Sequence, residues 1–160
     1  MAVNNFVKTG ANSKISISAA PITVDQPILT DYTTGPTYSL ITKASEWTVP
    51  QVVYDSVTFT PVATNIKETS KGQIDLGSID ITVGELLTDA GQTNLDAALA
   101  SKSKFAFKIE HVADGTTTGT ILYFAGLVME RKFAKIGPGD LRMITYSVAI
   151  INDVIKVAAT

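Results

Sequence analysis

TILYFAGLVMERKF, residues 120–133, is apolar on both parities of a strand. Leu122, Phe124 and Val128 fall on one side, and Tyr123, Leu127 and Met129 on the other. A strand with one wet face alternates apolar and polar residues; one that is apolar on both parities is covered on both sides. Its neighbours read differently. Phe105, Phe107, Ile109 and His111 alternate with charged residues such as Lys108 and Glu110, which predicts a strand with one wet face. DGTTTG, residues 114–119, is the hairpin loop between these two strands, and Gly137-Pro138-Gly139-Asp140 the next turn, ahead of a last long strand over 141–151. Three long antiparallel strands in succession thus form the centre of the molecule.

Upstream, Asp89 suits a helix N-cap, with Gln92 three residues later in a capping-box arrangement. Leu95, Ala98 and Leu99 supply the apolar stripe of a helix over 89–101. In the segment 73–83, Ile74 and Leu76 share one parity, and Ile79, Ile81 and Val83 the other. One extra residue at Gly77-Ser78 restores the pattern, so a single strand with a β-bulge is expected. Gln73, Asp75, Ser78, Asp80 and Thr82 then form one polar face. Residues 52–60 are a strand with Val53, Val57 and Phe59 on one face and Tyr54, Ser56, Thr58 and Thr60 on the other; Asp55 interrupts the apolar face. The polar stretch 61–72 reads as a projecting loop or hairpin. Short strands are expected at 38–42 and 46–49, with Pro50 marking an edge or a bend. Ile15, Ile17 and Ala19 alternate with Ser16 and Ser18 in a half-buried strand. Pro21, Pro27, Gly35 and Pro36 make 21–37 a long loop. Residues 1–13 read as an arm, 14–152 as one domain and 153–160 as a tail. The fold class is mainly β (α+β): a two-sheet antiparallel sandwich or barrel with one flanking helix.

A chain of 160 residues has room for one real core. Its charged fraction of 18% is low against the usual quarter, and Thr, Ser, Asn and Gln fill the polar positions. Such a surface suits a protein that buries much of itself against its own copies. The net charge of −2 and the lack of any basic run argue against a grip on nucleic acid. With no cysteine there is neither a disulfide framework nor a thiolate metal site. The start, polar through Lys14, has no signal-peptide pattern, and no stretch is apolar enough to span a membrane.

Candidate chemistry is sparse. His111 is the single histidine and has no ligand partners at metal spacing, so it reads as structural. Asp75 and Asp80 could share acid–base work, but a solvated strand face explains them better. The glycines at 137 and 139 match neither a dinucleotide nor a P-loop pattern, and no nucleophile elbow occurs. Arg131, Lys132 and Lys135 read as strand-end residues pairing with acidic groups of the same or an adjacent copy. Trp47 reads as a core or interface anchor. No catalytic, metal or cofactor residue is assigned, and an enzyme is the least favoured class.

The order of elements resembles that of the tail tube (major tail) proteins of tailed bacteriophages, especially those with long non-contractile tails. Four features carry it: Thr42-Lys43-Ala44-Ser45-Glu46-Trp47 leading into the strand at 52–60; Thr69-Ser70-Lys71-Gly72 opening the segment 73–83; the helix running directly into Lys104-Phe105-Ala106-Phe107-Lys108-Ile109; and the closing pair Tyr123-Phe124-Ala125-Gly126-Leu127-Val128 with Thr145-Tyr146-Ser147-Val148-Ala149-Ile150. The stretch 20–38 has no counterpart in this pattern.

The resemblance implies a structural subunit that forms hexameric rings, stacked into a hollow tube through which DNA is ejected. It implies tape measure, tail terminator and tail tip proteins as partners besides the chain itself. DNA would pass without specific binding, and no membrane is involved. The site would be the virion tail, assembled in the host cytoplasm. A lumen wall should not hold phosphate. Ser56, Thr58, Thr60, Gln73, Asp75, Ser78, Asp80, Thr82, Thr145 and Ser147 are the polar strand positions expected to line it, and none is basic. Asn65, Lys67, Glu68 and Lys71, in the 61–72 loop, are expected between rings. The alternatives are the tube of a contractile tail or of a bacterial secretion system, and a monomeric β-sandwich binding module.

Overall fold

Two strands that are neighbours in sequence lie at opposite ends of one sheet, and this closes the molecule on itself. The computed structural model describes residues 12–113 and 117–158. The elements run β1 (Lys14–Pro21), α1 (Leu29–Thr33), β2 (Tyr38–Leu40), β3 (Ala44–Trp47), β4 (Val53–Phe59), β5 (Glu68–Asp75), β6 (Ser78–Gly84), α2 (Ala90–Ala100), β7 (Phe105–Ala113), β8 (Thr117–Phe133), β9 (Met143–Ile150) and β10 (Ile155–Ala158). Eight strands form one antiparallel sheet in the order β2-β1-β7-β8-β9-β6-β3, with β10 paired to β8. Only residues 41–43 separate β2 from β3, so the two ends of the sheet must meet. The backbone bonds of that link confirm it: Ile41 N donates to Ile15 O of β1, and Gly84 N of β6 donates to Lys43 O. The sheet therefore wraps into a barrel around Ile15, Ile17, Ile41, Ile79, Ile81, Phe107, Phe124, Tyr146 and Val148.

Helix α2 packs on β8, β1 and β2. Asp89 caps it, accepting from Gln92 N at 3.0 Å, and Thr42 Oγ1 donates to the same carboxylate at 2.7 Å. Gln92 does not complete the capping box. Its side chain reaches back instead, accepting from Leu86 N and donating to Gly84 O. Gly91 is needed at the crossing: a Cβ there would lie 2.5 Å from Leu40 O.

The long strand β8 is covered on both faces, but only in its middle, over residues 122–128. Leu122, Phe124 and Val128 enter the barrel core, while Tyr123 and Ala125 enter a second cluster with Ile22, Tyr32 and Ala106. Met129 is 63% exposed, because the register shifts there. The stretch 21–37, expected as a loop, is a strap across the outer face of the sheet, and it contains the short helix α1. Tyr32 of α1 stacks on Tyr123 at 5.9 Å, and Tyr38 donates to Tyr32 O. Residues 155–158, expected in a tail, add β10 beside β8. One flanking helix was expected; the structure has α1 in addition to α2.

The segment 73–83 is not one bulged strand. Gly77 adopts φ +64 and turns the chain between β5 and β6, which belong to different sheets. The bulge lies earlier: between Tyr54 and Ser56 one β4 residue, Asp55, faces two β5 residues, Gly72 and Gln73. A Cβ on Gly72 would sit 2.8 Å from Val57 Cγ2. The expected arm, the 114–119 loop and the tail lie in part outside the described residues.

The Tyr32 hydroxyl is fully buried and has no hydrogen-bond partner among the described residues. Burial first, then Asp31 and Asp153, push its phenol up to about 12. The folded state thus favours the neutral form. This contribution is complete below the unfolded value near 10 and is lost as pH rises toward 12. Tyr38 and Tyr146 shift in the same direction, chiefly by burial. Tyr32→Phe is expected to leave stability at neutral pH unchanged or raise it by up to ~1 kcal/mol, since no bond is lost. It should also shrink the alkaline loss without abolishing it. Urea titrations at pH 7, 10 and 11.5 check both.

Candidate functional site

Two surfaces stand out once the fold is known. The first is the β4–β5 hairpin, which pairs only with itself and packs extensively on no other element. Every β4 residue is exposed. Cross-strand partners share a face, so Val53, Asp55, Val57 and Phe59 lie with Glu68, Ser70 and Asp75. Tyr54, Ser56 and Thr58 lie on the other face with Thr69, Lys71 and Ile74, where Lys71 Nζ sits 4.7 Å from the Tyr54 ring. One face is thus apolar and acidic. The connecting turn carries Val62 and Ile66, both largely exposed, and Asn65 with φ 51.

The second surface is the open outer face of β8-β9-β6-β3. The pairing register aligns Glu130, Ser147 and Asp80 in one row, and Lys132, Thr145, Thr82 and Glu46 in the next. Ser147 Oγ donates to Asp80 at 2.8 Å, the Thr82 and Thr145 hydroxyls lie 3.1 Å apart, and Lys132 pairs with Glu130 at 3.1 Å. Ser78 continues the face opposite Ala149.

The ten residues expected on one wall therefore separate. Ser78, Asp80, Thr82, Thr145 and Ser147 come together. Ser56, Thr58, Gln73 and Asp75 belong to the hairpin, with Asp75 on the face opposite Ser56 and Thr58, and Thr60 follows β4. Gly77 is the reason: it turns the chain out of one sheet and into the other. Of the four loop residues, Asn65 and Lys67 are in the turn, while Glu68 and Lys71 are on β5. This outer face also carries three charged residues that were not among the ten: Glu46, Glu130 and Lys132. The bulge at Met129 reverses the parity of β8, turning Glu130 and Lys132 outward and Arg131 toward α2. There Arg131 and Tyr146 both donate to Asp96 Oδ1 at 2.8 Å. The Asp96 carboxylate raises the Arg131 guanidinium further above its ordinary value.

Asp75 and Asp80 line one open cleft at the root of the hairpin. Each carboxylate is engaged, Asp75 by Gly77 N and Asp80 by Ser147. His111 lines a shallow hollow with Trp47 and Glu46. Among the described residues no group of three or more His, Asp or Glu could hold a metal. No helix among them is long and apolar enough to cross a membrane.

No family model matches the sequence, and no curated protein does. Solved structures match in fold. A chain of the PVC extracellular contractile injection system, in its extended sheath–tube complex, has a TM-score of 0.70 at 10% identity, covering 98% of this chain and 95% of that one. A chain of the anti-feeding prophage baseplate gives 0.69 at 10%, covering 96% and 97%. The SPP1 tail tube gives 0.61 at 16%, covering 94% and 78%. The chain has the tail-tube fold. It is shared by a tail tube and by contractile injection systems, so the fold does not single out the non-contractile type.

Because the hairpin contributes nothing to either core cluster, its loss should not unfold the barrel. Gly72→Val, which forces a side chain against Val57 and the Asp55 carbonyl, is expected to leave the melting temperature of the body within ~2 °C while loosening β4–β5. Trypsin should then cut at Lys67 and Lys71 several-fold faster than in the parent, with the fragments read by mass spectrometry.

Proposed function

We propose that this chain is the repeating subunit of a hollow tube, in which copies join into hexameric rings and rings stack head to tail. The observation that carries the reading is the fold match to a sheath–tube chain across 98% of this chain and 95% of that one. A free apolar hairpin on an otherwise well-buried barrel supports it, because exposed apolar patches mark interaction surfaces. The role is structural rather than enzymatic. Residues 14–152, extended by β10, are the subunit body. Neighbouring sheets joined around a ring would remove exposed strand edges. The hairpin, with Asn65, Lys67, Glu68 and Lys71 near its tip, would lie between rings.

In this reading the face of Ser78, Asp80, Thr82, Thr145 and Ser147 lines the lumen. Glu130 neutralises the basic Lys132, and Glu46 and Asp80 leave the face acidic. Such a wall repels a phosphate backbone, so DNA passes without being held. Tape measure, terminator and tip proteins would complete a virion tail assembled in the host cytoplasm. A second reading, a tube enclosed by a contractile sheath, is favoured by the TM-scores of 0.69 and 0.70 with contractile-system chains, against 0.61 with the SPP1 tail tube. A contracting sheath around the native tube in electron micrographs decides for it.

Deleting residues 62–71 is expected to leave a folded subunit that makes no long tubes in negative stain; normal tubes from the deletion variant would reject the stacking role. Tubes of Asp80→Lys/Glu130→Lys are expected to co-sediment with duplex DNA at low salt and to release it as salt rises, while parent tubes stay bare. No difference between the two would show that this face is not the wall.

A further inference from the structure

β9 and β10 run along the same edge of β8, because β7 holds the other edge. Ile151 N, bonded to Ala125 O, carries the line from one strand to the next. The line is broken once. From Ile150 opposite Gly126 to Ile155 opposite Tyr123, the chain advances five residues against three, so two residues loop out. This loop, around Asn152 and Asp153, meets the strap. Asn152 Nδ2 donates to Asp25 O at 2.7 Å, and Asp153 lies near enough to the Tyr32 phenol to raise its pKa. Lys104 Nζ, just ahead of β7, donates to the same Asp25 oxygen at 3.1 Å.

The strap and β10 also share a packing surface. Ile22 and Tyr32 of the strap are buried with Tyr123, Ala106 and Ala125, and Ile155 and Val157 of β10 pack against the same cluster. This cluster has no residue in common with the barrel core. Of the described residues after 151, only Val154 packs against that core. Few bonds tie the layer down. Among the described residues, hydrogen bonds from outside the strap reach residues 23–36 at two atoms, Asp25 O and Tyr32 O. The buried side-chain atoms that no protein group satisfies, Tyr32 OH and Asn152 Oδ1, both belong to this layer. A buried polar group left unpaired favours a state in which water reaches it. Segments with few bonds and a small cluster of their own open at a lower free energy than the whole fold.

We propose that the strap and residues 152–158 form one hinged cover, latched at Asp25 O, that opens from β8 as a unit while the barrel stays folded. The inference does not rest on the tube reading. Asn152 couples the two parts, since its loop belongs to the C-terminal segment and its bond to the strap. Opening removes Tyr32 from Tyr123 and β10 from β8 together. It leaves the β8 edge at residues 120–123 unpaired, and an unpaired edge is a template for a further strand. In the closed state that edge is occupied by the chain's own β10.

Residue-resolved hydrogen exchange on the full chain tests this, under conditions where the rate reports the opening equilibrium. Thr34 N, bonded to Thr30 O, reports on the strap, and the protected amides of 155–158 report on β10. In the parent, both are expected to exchange at least tenfold faster than the slowest amides of β9. Equal rates in all three would mean that nothing opens short of global unfolding, and would overturn the inference. Lys104→Ala removes a bond to the strap alone. It is expected to speed exchange at Thr34 and across 155–158 by the same factor, about fivefold. Faster exchange at Thr34 with 155–158 unchanged would show two independent flaps and reject the single cover. No change at either would reject the latch. Asn152→Ala, which removes the other bond to Asp25 O, is expected to repeat the Lys104→Ala pattern, and an effect confined to one segment would count against the coupling.

Discussion

The whole architecture depends on the link of residues 41–43. β2 and β3 belong to opposite ends of a seven-strand path, and so short a link cannot span an open sheet of that width. The sheet has to curl until its ends meet. Ile41 then fills the barrel, buried among the core residues, while the backbone on either side of it bonds to β1 and to β6. The same link fixes the helix. Thr42 donates to the N-cap carboxylate of Asp89, and Gly91 lets the helix lie directly on the Leu40 carbonyl. Helix, closure and the loop held by Gln92 are consequences of one short connection.

Closure also explains how the polar face is made. Once the interior is filled, the outward sides of β9, β6 and β3 are left to Ser, Thr, Asp and Glu. The strap of residues 22–37 and β10 cover the remaining outer face near β7 and β8, where Tyr32, Tyr38 and Tyr123 gather. The outer surface is thus divided into a covered aromatic half and an open hydroxyl half. β8 crosses from one to the other at Gly126, where a Cβ would meet Val148 Cγ1 at 2.6 Å. The bulge at Met129 then resets its parity.

Strong periodicity made much of this legible in the sequence. The helix at 89–101, the strands around residues 105–113 and 143–150, and the two apolar parities of 120–128 are local patterns, and local patterns survive folding. The parity of Val53, Val57 and Phe59 against Tyr54, Ser56 and Thr58 also matches the register of β4. What could not be read is non-local. Gly77 looked like a bulge because a bulge and a sheet-changing turn both add one residue out of phase; only the pairing partners, β4 for one side and β9 for the other, separate them. Lys132 and Glu130 reached the polar face through a register shift that leaves no signature in residue type. The strap lacked periodicity because its contacts come from single, widely spaced residues: Ile22, Tyr32 on the five-residue α1, and Tyr38 at the start of β2.

The division between barrel and hairpin has a thermodynamic consequence. A two-stranded ribbon with no third strand and no helix against it is marginal in water. The β4–β5 hairpin therefore gains little order from its own pairing and none from either core cluster. The bulge at Gly72 and the charged residues Asp55, Lys67, Glu68 and Lys71 limit indiscriminate edge pairing of a ribbon that exposes Val53, Val57 and Phe59 on one face. In the proposed tube, the copy that covers Val57, Phe59, Val62 and Ile66 would supply the missing packing. Stability of this segment is then linked to the concentration of its partner by mass action. A barrel core to which the ribbon contributes nothing would, in the proposed tube, separate the stability of the subunit from the stability of the assembly it forms. Substitutions on the ribbon act on the second quantity and leave the first almost untouched.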